Sequence, residues 1–148
     1  MNARDEIATE VERYAARAVR HAEALTALAE VGTIGELLAT DPDDNGPSEW
    51  AAHFPADEYD ADADLLDVLN TDALEVYATG RFHFHDGWTV TGIVIVTGTG
   101  GPHVEAEISD SGRIVGRCYW GSDRAEEIGY DGESLFEYLA EMMEEAGR

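Results

Sequence analysis

The chain has 148 residues, 44% of them hydrophobic, and carries 32 Asp/Glu against nine Lys/Arg for a formal charge of −23. That length and apolar fraction predict one folded domain spanning residues 1–148 and argue against disorder throughout. A field this negative repels nucleic acid and anionic membrane and attracts cationic surfaces, which excludes direct nucleic-acid binding as the expected role.

Other bulk features narrow the class further. No run of roughly 18 apolar residues occurs, so no membrane-spanning helix is expected. The opening Met1-Asn2-Ala3-Arg4-Asp5-Glu6 lacks the basic and apolar regions of a signal peptide. The single Cys118 cannot form an internal disulfide, and a reducing cytoplasm is the expected compartment. All nine basic residues are Arg, a bias that a GC-rich or salt-loving source would produce. The acids are segregated: 15 lie between His21 and Gly80 with no Lys or Arg among them, whereas residues 1–20 and 81–120 are nearly neutral.

In chain order, residues 3–31 predict one long helix. Ile7, Val11, Tyr14, Ala18, Ala22, Leu25 and Leu28 recur at three- and four-residue steps, with Asn2 as N-cap and Gly32 as the C-terminal stop. Arg13, Arg17 and Arg20 share one face of it, placed to pair with Glu10 and Glu23 or to meet an acidic partner or a second copy of this chain. Thr33 and Glu36 match a capping box, so a short helix through Ala39 is expected.

Residues 41–47 read as a loop. Asp41-x-Asp43-x-Asn45-Gly46 matches the first half of a calcium loop, but Ala52 stands at the twelfth position, where a bidentate Glu belongs. Calcium binding through Asp41, Asp43 and Asn45 is therefore an alternative rather than the main expectation. Ser48 to His53 suggests a short helical stretch stopped by Pro55, and the second half of residues 57–69 suggests one or two helical turns.

From Leu74 the period becomes two. Leu74, Val76, Ala78, Gly80, Phe82 and Phe84 fall on one face, and Glu75, Tyr77, Thr79, Arg81, His83 and His85 on the other. Asp86-Gly87 predicts a hairpin turn, residues 88–97 a strand buried on both faces at Ile93-Val94-Ile95-Val96, and residues 103–109 and 113–120 two more strands. Asp131 is expected to cap a last helix with Leu135, Leu139, Met142 and Ala146 inward. The expected fold is α+β: a long N-terminal helix, a short helical acidic region, a four-stranded antiparallel meander and a C-terminal helix.

No catalytic pattern emerges, and the chain is read as a non-enzyme without a cofactor. His83 and His85 share a strand face, but His103 lies too far along the meander to complete a metal site. Cys118 alternates with Ile114 and Trp120 and reads as a small buried residue. Gly98-Thr99-Gly100-Gly101 lacks the following Lys-Ser/Thr of a phosphate loop. The informative string is Asp57, Glu58, Asp60, Asp62, Asp64. If extended, its alternate carboxylates stand about 6.6 Å apart, close to the phosphate repeat of a nucleic-acid strand. With Glu137, Glu141, Glu144 and Glu145 of the last helix, it could imitate DNA and occupy a basic nucleic-acid-binding protein or nuclease complex, anchored by an aromatic such as Trp50, Tyr59 or Trp88. The alternative is a halophile-adapted domain whose acids serve only solubility.

Gly100-Gly101-Pro102, the strand after it and Tyr119-Trp120-Gly121-Ser122-Asp123 resemble small uncharacterised phage and plasmid proteins that carry a G-G-P turn and a W-G element. The likeness spans residues 92–124. It implies a mobile-element origin, carries no assigned site residues, and points the inhibitor expectation toward anti-restriction or anti-CRISPR roles.

Overall fold

The computed structural model describes residues 3–39, 50–55, 57–99 and 101–146. The calcium-like residues Asp41, Asp43 and Asn45 lie outside them. The elements are α1 (Ala3–Val31), α2 (Ile34–Ala39), a 3-10 turn (Ala51–His53), α3 (Leu65–Asp72), β1 (Glu75–His83), β2 (Gly87–Gly98), β3 (His103–Ser109), β4 (Ile114–Trp120), β5 (Asp123–Gly129) and α4 (Glu133–Ala146). The fold is α+β, with a five-stranded antiparallel sheet in the order β1-β2-β3-β4-β5.

Local chemistry sets the boundaries. Gly32 stops α1 at φ 112°, a left-handed turn that its missing Cβ permits. The Thr33 hydroxyl accepts from Glu36 N at 3.2 Å and donates to Glu36 Oε1 at 3.1 Å, which forms half of the predicted capping box: the Glu36 carboxylate takes the Thr33 hydroxyl and not its backbone N–H. A second box starts α3: Asp64 Oδ1 accepts from Asp67 N at 2.9 Å, and Asp67 Oδ2 accepts from Asp64 N at 3.1 Å. Asp131 does not cap α4. It sits at φ 67°, two residues before Glu133, and the first helical turn closes on the Gly132 carbonyl, which accepts from Phe136 N at 3.0 Å.

One sheet face holds the core. Register brings Ile93 opposite Ile108, and Ile108 opposite Ile114; Ile95, Ala106 and Gly116 form the next row. α1 lies on this face with Val11, Ala15, Ala22, Leu25 and Leu28 inward, all at most 2% exposed. It approaches β4 so closely that a Cβ on Gly116 would run into the Ala15 carbonyl oxygen. α4 joins it there, Gly132 fitting between Ile108 and Ile114. The opposite face carries cross-strand rows of Tyr77, Val94, Glu107, Val115 and Ile128, and of Glu75, Val96, Glu105, Arg117 and Glu126. Arg117 lies among carboxylates: Glu107 at 2.7 Å, Glu126 at 3.2 Å and Glu105 at 3.5 Å.

The sheet has five strands, not the expected four. β5 escapes the sequence pattern because the face it turns toward α1 carries Ala125, Glu127 and Gly129, two small residues that admit α1 and an exposed acid between them; a Cβ on Gly129 would meet Val19. The first hairpin also closes earlier than expected. β1 ends at His83 opposite Gly87, and the loop is Phe84-His85-Asp86. Its tip reaches beyond the helices, leaving Phe82, Phe84 and Trp88 63%, 88% and 67% exposed.

Candidate functional site

The acidic segment 57–64 crosses from the 3-10 turn to α3 beside the α1–α2 junction. It is a run of turns. Pro55 O accepts from Glu58 N at 3.0 Å and Tyr59 N at 3.1 Å, and Asp60 O accepts from Ala63 N at 3.1 Å. Ala61 O and Ala63 O take Gly35 N and Ile34 N, pinning the segment to α2. Tyr59 and Ala63 point into the core at 8% exposure, and the intervening Asp57, Glu58, Asp60 and Asp62 face solvent.

This geometry corrects the extended reading. The carboxylates do not stand at a strand repeat, because turns at Glu58 and Ala61–Asp62 fold the chain back. Asp64 is half-buried and serves as the α3 cap. Instead, Glu58, Asp60, Asp62 and Asp67 gather around a shallow depression of about 340 Å³ with Thr71 at its edge. Among the described residues none of these carboxylates forms an ion pair.

The α4 acids form a second row. Glu137, Glu141 and Glu145 are exposed at four-residue steps, on a helix packed against α1, β2 and β3. Glu144 turns inward and accepts from Val90 N at 3.4 Å, tying the helix end to β2. Of the three aromatic anchors named from sequence, Tyr59 is core, Trp50 carries the Arg20 guanidinium 4.4 Å from its ring centroid, and Trp88 stands at the hairpin tip. Arg13 and Arg20 pair with Glu10 and Glu23 on α1.

A second concavity escaped the sequence reading. Between α1, the 3-10 turn and the adjoining ends of β2 and β3 lies a cavity of about 500 Å³. Leu25, Ile95, Val104 and Ala106 supply its apolar wall, and Arg17, His21, His53, Glu58 and Asp72 its polar one. The Nδ1 atoms of His21 and His53 are 3.3 Å apart, and His21 Nε2 is 4.0 Å from Asp72 Oδ2. Burial chiefly, then His53 and Arg17, lower the His21 pKa to about 4 against the pull of Asp72. Burial, Arg20 and Arg17 also lower that of His53. Both rings are therefore neutral at pH 7, so one Nδ1 donates and the other accepts. The Tyr59 hydroxyl is buried without a hydrogen bond of good geometry, and burial and Asp72 push its pKa up. This cluster was invisible in sequence because 32 residues separate its histidines. The available signal was a polar His21 interrupting the apolar stripe of Ala18, Ala22 and Leu25.

Elsewhere, His83 and His85 are exposed on the hairpin, and His103 Nε2 lies 2.9 Å from Glu105 Oε1. Cys118 is fully buried, which pushes its thiol pKa up. Among the described residues no three His, Cys, Asp or Glu converge to hold a metal ion, and no helix is long and apolar enough to cross a membrane. Comparison with family models, with curated proteins and with solved structures found no match to this chain.

Proposed function

We propose that this protein acts by binding: its acidic surface at residues 57–67 captures a basic, nucleic-acid-binding protein and occupies the site that would hold phosphate groups. Host restriction or CRISPR effectors are the target class that the mobile-element resemblance suggests. The observation that carries the reading is the convergence of Glu58, Asp60, Asp62 and Asp67 on one depression with no cationic side chain among the described residues that line it. Asp67 already accepts from Asp64 N at 3.1 Å, but Glu58, Asp60 and Asp62 are exposed and form no ion pair among the described residues, so they give up no internal ion pair when a guanidinium or ammonium meets them, and they steer a cationic partner from a distance. A depression suits a projecting Arg or Lys side chain, not a flat stack of phosphates. Charge mimicry, not mimicry of the duplex repeat, is thus the form of the proposal.

The test is capture and competition. The wild-type protein should retain a basic DNA-binding protein at low salt, release it at moderate salt, and block its DNA binding. The double variant Asp60→Lys/Asp62→Lys should weaken capture by about tenfold or more with unfolding unchanged. Equal capture by both proteins would remove residues 57–67 from the site.

A second reading has its own support. Exposed acids also stand on α1 (Glu12, Glu30), β5 (Glu126, Glu127) and α4 (Glu133, Glu137, Glu141). Such a coat fits solubility in brine, and it predicts a chain that folds only above about molar salt, where screening removes self-repulsion. Cooperative folding in dilute buffer would count against it.

A further inference from the structure

We infer that β1 is the contact surface for a second copy of this chain, paired antiparallel about Ala78 to continue the sheet across a two-fold axis.

The two sheet edges differ. β5 carries α1 across its face, whereas β1 makes its extensive contacts with β2 alone. Among the described residues β1 pairs only with β2, so its other edge presents unpaired backbone groups along a nine-residue strand. Proteins blunt such edges with Pro, Lys, a bulge or a covering element; Glu75–His83 contains no Pro or Lys, and the bulge in its pairing, at Thr79/Gly80, has its extra residue, Thr91, on β2. Its flanks are apolar and open: Leu74 is 62% exposed and Phe82 63% exposed.

The strand is complementary to itself. In an antiparallel pair centred on Ala78, Glu75 falls opposite Arg81 of the second copy, and Leu74 opposite Phe82. Tyr77 falls opposite Thr79, and Val76 opposite Gly80. Directly opposed side chains share a face at about 5 Å between Cβ atoms. Both ion pairs thus form on the face bearing Tyr77, and both Leu–Phe contacts on the face bearing the helices. Within one copy neither Glu75 nor Arg81 forms an ion pair among the described residues. Shifting the centre by one residue sets Glu75 opposite His83 and Arg81 opposite Tyr77, losing the charge match. Such a contact is isologous and closes at two copies.

Charge selects the same place. Two bodies of charge −23 repel, and they approach most easily where that charge is thinnest. Leu74 to Thr91 holds only Glu75, Arg81 and Asp86.

The experiment is sedimentation equilibrium on the full chain with a charge swap. Wild type should be a dimer. Arg81→Glu and Glu75→Arg should each weaken association by about tenfold or more, because like charges then face each other twice per dimer. The double variant Glu75→Arg/Arg81→Glu should recover it. All four side-chain sites are solvent-exposed, and circular dichroism should show unchanged folding. Ala78→Cys supplies a second test: residues on the two-fold axis face themselves, so oxidation should give a covalent dimer, whereas Thr79→Cys, set opposite Tyr77, should not. A monomeric wild type at its highest soluble concentration, or a double variant no better than the singles, overturns the inference.

Discussion

Asp60 and Asp64 are the same residue type four positions apart, yet their settings separate surface charge from structure. Asp64 closes a capping box, so Asp64→Ala should cost about 1 kcal/mol in urea unfolding and leave partner capture unchanged. Asp60 has no such tie and should behave in the opposite way. His21 gives a pH signature. Its folded pKa of about 4 lies below the ordinary 6.5, so the unfolded chain binds the extra proton first. Its contribution to stability is intact above pH 6.5 and lost as pH falls toward 4, by roughly 3 kcal/mol in all. His21→Gln should therefore show a shallower loss of stability over that window. Parallel curves for the two proteins would show that His21 does not titrate against folding. Neither setting could be read from residue type. A string of acids looks uniform until turns at Pro55–Glu58 and Asp60–Ala63 aim some outward and commit one to a cap.

At the level of elements, α1, α3, β3 and β4 were legible because burial on one face sets their apolar periods, β2 through its fully buried Ile93–Val96 run, and β1 through alternation of residue types although nearly all of it is exposed. β5 was not, since its helix-side face reads Ala125, Glu127, Gly129, with no large apolar residue to mark it. The cue that remained was the two-residue Gly121-Ser122 link between Trp120 and Asp123, a hairpin signature in its own right. The close approach of α1 makes a strong test. Gly116→Ala forces a methyl against the α1 backbone, not against a flexible side chain, and should cost about 3 kcal/mol or prevent folding. Gly121→Ala meets no neighbouring atoms, so only its φ of 63° opposes it, and the loss should be nearer 1 kcal/mol. On the other sheet face, Arg117→Ala would leave Glu105, Glu107 and Glu126 facing one another. That variant should be destabilised most in dilute buffer and recover as added salt screens the three carboxylates.

For the whole molecule, the sequence told the sign of the charge and its unequal distribution but not which acids meet in space. The depression of residues 58–71 depends on how α3 folds back against the acidic turns. The His21–His53 cavity depends on a contact between α1 and a turn 32 residues further along the chain. Such convergence comes from tertiary packing, which periodicity does not encode. Thermal unfolding across a salt series addresses the molecule as a unit: the melting temperature should rise steadily with salt from an already folded state in dilute buffer, as screening relieves the self-repulsion of the −23 chain.

The seat of α1 on β4 and β5 has a consequence for synthesis on the ribosome. The helix is made before the sheet, and the strands it packs on most extensively come about a hundred residues later, whereas each strand of the sheet only waits for its neighbour. Nascent chains halted before residue 114 should therefore carry a helix whose apolar stripe is only partly covered, open to chaperones and proteases. Release of the last hairpin would be the moment at which that vulnerability ends.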